Sequence, residues 1–184
     1  KSSLISKVSH ARPKVAGYPF TTLYPNLGVV RVSTDRSFVI ADIPGVIQGA
    51  ADGAGLGLQF LKHLSRTRLI LHLVDIAPMD EAADPADEVR EILNELEKYG
   101  GELAERERWL VLTKTDLIPD EEYQQRRDAL LETLQWQGPV FGVSSITGAG
   151  TDELVNALMQ HLEAAAESER ESPAASDEEY DPIK

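Results

Sequence analysis

The chain has 184 residues, 42% of them hydrophobic, with no cysteine and a formal charge of −13. That length holds one ordinary domain with sequence to spare, and the apolar share supports a core. The missing cysteines exclude disulfides and thiolate metal sites, the charge argues against a nucleic-acid clamp covering the whole surface, and no stretch approaches the apolar length of a membrane span.

In chain order, Lys1-Ser2 opens into an apolar-periodic segment carrying Leu4, Ile5 and Val8. Residues 29–32 and 38–41 are β-branched runs around the polar turn at 33–36, which predicts a hairpin. Gly49, Gly53, Gly55 and Gly57 make a glycine-dense segment, costly to order and suited to a switch that a ligand orders; an ordinary surface loop accounts for it too. Leu58, Leu61 and Leu64 then form a helical stripe. Residues 69–74 are almost continuously apolar, as in a strand covered on both faces. Asp84 caps a helix whose first turn takes Pro85; Val89, Ile92, Leu93 and Leu96 form its face, and Gly100-Gly101 stops it. Residues 109–112 and 140–143 read as further buried strands. Residues 129–134 close another helix, and Leu154, Val155, Leu158 and Leu162 stripe the last one. Residues 164–184 are rich in Ala, Glu, Ser and Pro and are expected to be a disordered tail or linker, leaving 1–163 as the domain. Eight acids from Glu163 onward, against Arg170 and Lys184, carry −6 of the −13.

Strands alternating with helices predict an α/β fold: a mostly parallel sheet between helical layers, with one antiparallel hairpin strand. Ligands in such sheets bind beyond the carboxyl ends of the strands. Asp42, Asp75, Thr113 and Ser144 each follow a strand and fall at such ends.

Four segments carry chemistry. In Asp42-Ile43-Pro44-Gly45, the carboxylate suits Mg²⁺ through water, and Gly45 lets the backbone approach a terminal phosphate. On its own this run reads first as a strand-to-loop turn. In Thr113-Lys114-Thr115-Asp116, a carboxylate at Asp116 accepts the N1 and N2 hydrogens of guanine, which adenine lacks, while the Lys114 stem covers the base plane. In Ser144-Ser145-Ile146-Thr147-Gly148, backbone N–H groups meet guanine O6; a tight strand-to-helix turn is the plainer reading. Lys1-Ser2 matches the last letters of a phosphate-binding loop, in which Lys meets the β/γ-phosphates and the hydroxyl meets Mg²⁺. Each match is weak alone; their order along the chain gives them weight.

That order resembles the P-loop GTPases, and within them the Obg family. Tyr18-Pro19-Phe20-Thr21-Thr22-Leu23 looks like its first switch. Asp42 through Gly45, with Gly49-Ala50 and Gly53-Ala54-Gly55-Leu56-Gly57, looks like its second, and Phe60-Leu61-Lys62-His63-Leu64 continues the likeness. The resemblance covers residues 1–162 and implies the P-loop NTPase-type three-layer sandwich. It implies that Lys1 touches the β/γ-phosphates, that Ser2 and Thr22 coordinate Mg²⁺ with Thr21 the lesser candidate, and that Asp42 holds a metal-bound water. Gly45 senses the γ-phosphate, so Lys1, Thr22 and Gly45 are the catalytic candidates. Phe20, Thr113, Lys114, Asp116, Ser144, Ser145 and Ile146 complete the nucleotide-binding set.

Three departures stand out. The glycines and strand that precede the phosphate-loop lysine in this family are not in the sequence, so the chain is expected to be part of a longer one. Thr113 replaces the usual Asn and loses the amide's two-ended reach. Gln48 stands where the family has an acid. Position 46, where Ras-like enzymes orient the attacking water with Gln, is Val, which cannot polarise water. The expected function is therefore a slowly hydrolysing, Mg²⁺-dependent GTP/GDP switch. Large ribosomal subunit assembly and stress control are the implied role, with rRNA and ribosomal proteins as partners, and a cytoplasmic monomer is the expected form. The alternative is a hydrolysis-deficient remnant that serves as a ribosome or protein docking module; an ATPase is disfavoured by Asp116.

The other chemically able residues have plainer readings. His72 is a core residue, His10, His63 and His161 share no metal-ligand spacing, and Trp109 and Trp136 are packing residues. Lys7, His10, Arg12, Lys14 and Arg31 make a basic stretch that reads as a solvated face, with contact to RNA phosphates as the sharper alternative.

Overall fold

Leu4, Ile5 and Val8 recur at helical spacing because α1 (Ser2–Val8) buries that one stripe, leaving each of them 9% exposed or less. The computed structural model describes residues 2–9, 14–15, 26–42, 67–80 and 82–171. The glycine-dense segment, the stripe from Leu58 to Leu64 and residues 172–184 lie outside these.

Three strands form an antiparallel sheet in the order β1 (Lys14–Val15), β2 (Asn26–Arg31), β3 (Ser37–Asp42). The expected hairpin is β2–β3, in register from Asn26↔Asp42 to Arg31↔Ser37 and closed by the polar turn at 33–36. Strand β1 extends the antiparallel part beyond the expected hairpin; two residues are too few to carry a period. Gly28 is where α1 crosses closely. A Cβ there would lie 2.1 Å from Ser9 Oγ and 2.9 Å from Ile5 Cγ2.

The second sheet is parallel: β4 (Ile70–Asp75), β5 (Arg108–Thr113) and β6 (Val140–Val143), with β5 in the middle. Crossovers run through α2 (Pro85–Tyr99), the single turn α3 (Glu102–Glu105) and α4 (Asp120–Leu134), and the chain leaves through α5 (Thr151–Glu171). The caps of α2 follow local chemistry. Asp84 accepts the N–H of Ala86 at 2.8 Å, Pro85 opens the helix, and Gly100, at φ 69°, donates its N–H back to Leu96 O.

Alternation along β5 sorts the helices into two layers. Trp109 and Val111 join Leu4, Val8, Val30, Val143, Leu154 and Leu158 in one apolar cluster, so α1, α5 and the hairpin cover that face. Leu110 and Leu112 join Val74, Ile76, Ala86, Val89 and Leu130 in the other, beneath α2 and α4. This is the three-layer α/β arrangement, with a parallel sheet and an antiparallel unit packed on the same core.

Helix α5 runs to Glu171, into the stretch expected to be tail. The run Ala164-Ala165-Ala166 has high helix propensity, and charged contacts tether the helix on either side of it. Arg36, in the hairpin turn, forks onto Glu163 at 2.7 and 2.5 Å, and Arg68, just before β4, meets Glu169 at 2.8 Å. His72 is buried and Trp109 stacks on Phe141, both in keeping with core roles. Among the described residues no helix is long and apolar enough to cross a membrane, and no group of three or more His, Asp or Glu is placed to hold a metal ion.

Candidate functional site

The parallel register brings Asp75 opposite Thr113 and Thr113 opposite Val143, so three strands end in one row. The segments that leave this row are the ones whose chemistry the strand order places at the ligand-binding edge.

From β5 the chain turns immediately. Lys114 takes a left-handed conformation, φ 64° and ψ 33°, and a 3₁₀ turn follows over Thr115–Leu117, closed by the N–H of Leu117 on Lys114 O at 3.1 Å. This turn leaves Asp116 exposed at the strand end. Thr113 Oγ1 donates to Val74 O at 3.0 Å, tying the end of β5 to β4, and the N–H of Ile76 returns a bond to Thr113 O at 3.3 Å. The Lys114 ammonium pairs with Asp75 Oδ2, while Asp75 Oδ1 accepts the N–H of Ala77 at 3.1 Å.

From β6 the chain makes a compact loop before α5. Ser144 is fully buried and all three of its polar groups act inside the loop. Its N–H reaches Ala149 O at 3.0 Å, its carbonyl accepts Gly148 N–H at 2.9 Å, and its Oγ accepts Thr147 N–H at 3.1 Å. Ser144 therefore shapes the loop. The N–H groups of Ser145 and Ile146 have no acceptor among the described residues, and the Ile146 side chain is 80% exposed. Gly148 and Gly150 both have positive φ, 87° and 70°. At Gly150 a Cβ would fall 1.9 Å from Gly142 O, so the loop closes directly on β6. Lys7 of α1 lies against Gly148, its Cε 3.0 Å from where a Cβ would sit.

The structure thus brings Thr113, Lys114, Asp116, Ser144, Ser145 and Ile146 to the ends of two adjacent strands. Ser2 opens α1 and Asp42 ends β3, where the motif spacing put them; their side chains lie outside what is described, as do Lys1, Phe20, Thr21, Thr22 and Gly45. Asp75 is the residue that motif reading passed over. Its signal was available, because it is a carboxylate ending the strand beside Thr113, but no single-strand pattern reveals a neighbour across a sheet.

Residues 1–114 match the model of a family described as 50S ribosome-binding GTPase. Among solved structures, the cytosolic domain of the T. maritima FeoB iron transporter in a GDP form aligns with a TM-score of 0.64 and 22% identity, over 88% of this chain and 58% of that one. Era from Aquifex aeolicus, in a variant bound to GDP·AlF4⁻, aligns at 0.62 and 19% over 86% and 52%. Nucleolar GTP-binding protein 1 of Plasmodium falciparum aligns at 0.56 and 17% over 92% and 82%. At these identities the likeness is one of fold, and this chain spans little more than half the length of the first two.

Proposed function

The chain belongs to the 50S ribosome-binding GTPase family, and on that premise we propose that it is an Obg-like, Mg²⁺-dependent switch that binds GTP and GDP and hydrolyses GTP slowly. One observation carries the base-recognition half of this reading. The turn bearing Lys114 and Asp116 and the loop bearing Ser145 and Ile146 leave adjacent parallel strands at the same end, with the carboxylate exposed and two N–H donors free of acceptors among the described residues. Acceptor and donors together are complementary to the N1, N2 and O6 edge of guanine and opposed to adenine.

Lys1, Ser2, Thr22, Asp42 and Gly45 would form the phosphate half. The oxygen donors Ser2, Thr22 and Asp42 suit Mg²⁺, which when bound neutralises charge on the β- and γ-phosphates. Val46 offers no proton acceptor to the attacking water, which supports a slow intrinsic rate. Within the full-length protein, work on the large ribosomal subunit is the role that the family description and the Obg resemblance support, and a cytoplasmic monomer is the form proposed with it.

Fluorescent GDP titrated into the full-length protein, then competed with ATP, tests the guanine reading. Asp116→Asn should weaken GDP binding roughly 100-fold, because a buried guanine donor then loses its charged acceptor. No binding by the unsubstituted protein, or equal competition by ATP, would sink the reading. The hydrolysis-deficient docking module stays a second reading, favoured by Val46 and by a Thr113 hydroxyl already committed to Val74 O. Single-turnover GTP cleavage separates the two, since only the docking module binds GTP without ever releasing phosphate.

A further inference from the structure

The parallel ladder ends at Asp75↔Thr113, and the last residue of β5 and the first beyond it both turn back to β4. Thr113 does so through its hydroxyl, bonded to Val74 O, and Lys114 through its ammonium, paired with Asp75. Lys114 holds φ 64°, a left-handed conformation that residues with a side chain seldom adopt and that gathers where a site requires it. Glycine would occupy that conformation without strain, so the presence of Lys points to a use for its side chain.

The two partners are unequally held. Asp75 has one oxygen on the Ala77 N–H and a side chain 30% exposed, whereas the Lys114 side chain is 48% exposed. The carboxylate is fixed by its own turn, and the lysine comes to it. Thr113 stands where the resemblance leads one to expect Asn, and its donor proton is committed to β4. The bracing of this turn thus comes from β4.

We propose that Asp75 is a positioning residue of the guanine site: by taking the Lys114 ammonium, it holds the lysine stem as the platform beside Asp116 on which the base lies. This rests on the guanine reading above. Asp75 touches neither base nor phosphate. It acts through Lys114, so its effect must vanish when the ammonium is gone.

A double-mutant cycle on the full-length protein, read by fluorescent GDP binding, tests this. Asp75→Asn should weaken binding about tenfold, Lys114→Met by a similar factor, and the double variant no further than Lys114→Met alone. ATP should compete as poorly as before, because Asp116 is untouched, and Asp75→Glu should recover most of the affinity. A purely structural cross-link would instead lower the melting temperature in each single variant and leave affinity unmoved. Asp75→Asn binding within twofold of the unsubstituted protein overturns the proposal, and so does an equal loss in the Lys114→Met background. If Asp75→Asn does not fold, Asp75→Ser in the two backgrounds completes the cycle, and the same loss in both, or none in either, overturns the proposal. No GDP binding by the unsubstituted protein would instead overturn the guanine reading itself.

Discussion

The parallel strands β4–β6 and the hairpin β2–β3 pack against the same helix, α5, on different terms. Strand β5 is covered on both faces, and four consecutive residues, Trp109 to Leu112, are each 4% exposed or less. The hairpin buries one face only. Val30 is 1% exposed and Phe38 and Ile40 pack beside it, yet the cross-strand pair Val29↔Val39 on the other face is 42% and 63% exposed. Its turn is tied to α5 by ions, Arg36 to Glu163. The turns that carry the proposed guanine site therefore leave a sheet whose described strands have no wet face, while the hairpin is a half-solvated ladder. On the proposed reading that inequality suits a switch, because a fixed base site and a phosphate-sensing side ask for different packing.

Substitution can break the contrast at its strongest point. Leu110→Ala should cost about 2–5 kcal/mol by urea unfolding, from lost transfer energy and an unfilled cavity, whereas Val39→Ala should stay within about 0.5 kcal/mol. Similar losses at the two positions would remove the distinction. A smaller effect is expected where the loop after β6 closes back on that strand. Gly150→Ala puts a Cβ 1.9 Å from Gly142 O at a positive φ, and should cost roughly 1–3 kcal/mol, seen as a lower melting temperature. An unchanged melting temperature would mean that the loop closes in some other way.

The smallest effect belongs to the ionic tie. The hydrogen bonds from Arg36 hold the Glu163 carboxyl below its ordinary value of 4.5. A carboxyl depressed on folding adds stability that is present above its unfolded value and lost as pH falls through its folded one. Arg36→Ala should therefore differ slightly from the unsubstituted protein at neutral pH, and the two melting curves should converge well below pH 4.5. Added salt should narrow the gap at neutral pH, since both side chains are exposed. A gap that persists in acid would assign the contact to packing.

Much of this was legible in the sequence because its causes are local. Continuous apolar runs marked β4, β5 and β6, and Asp84-Pro85 with Gly100-Gly101 bounded α2 to the residue. What escaped depends on neighbours distant in sequence. Strand β1 exists through its pairing with β2, and α5 reaches Glu171 through partners at Arg36 and Arg68, which composition alone does not register. In the candidate site, motif order brought Thr113, Lys114, Asp116 and the 144–146 loop to one edge. It did not distinguish Ser144, whose polar groups act within its own loop, from Ser145 and Ile146, and it passed over Asp75. Motif spelling records residue types; which groups are already bonded is settled only by folding.

Helix α5 begins where the loop after β6 ends, with Thr151 Oγ1 on Gly148 O, and meets the hairpin turn at Glu163. At the rise of an α-helix those two points are roughly 18 Å apart along an uninterrupted rod. A rod of that stiffness fixes a ruler length between the loop proposed to read the base and the turn of the hairpin. Sliding of the hairpin along α5 has to break the Arg36 fork, and tilting of the rod has to carry both ends together.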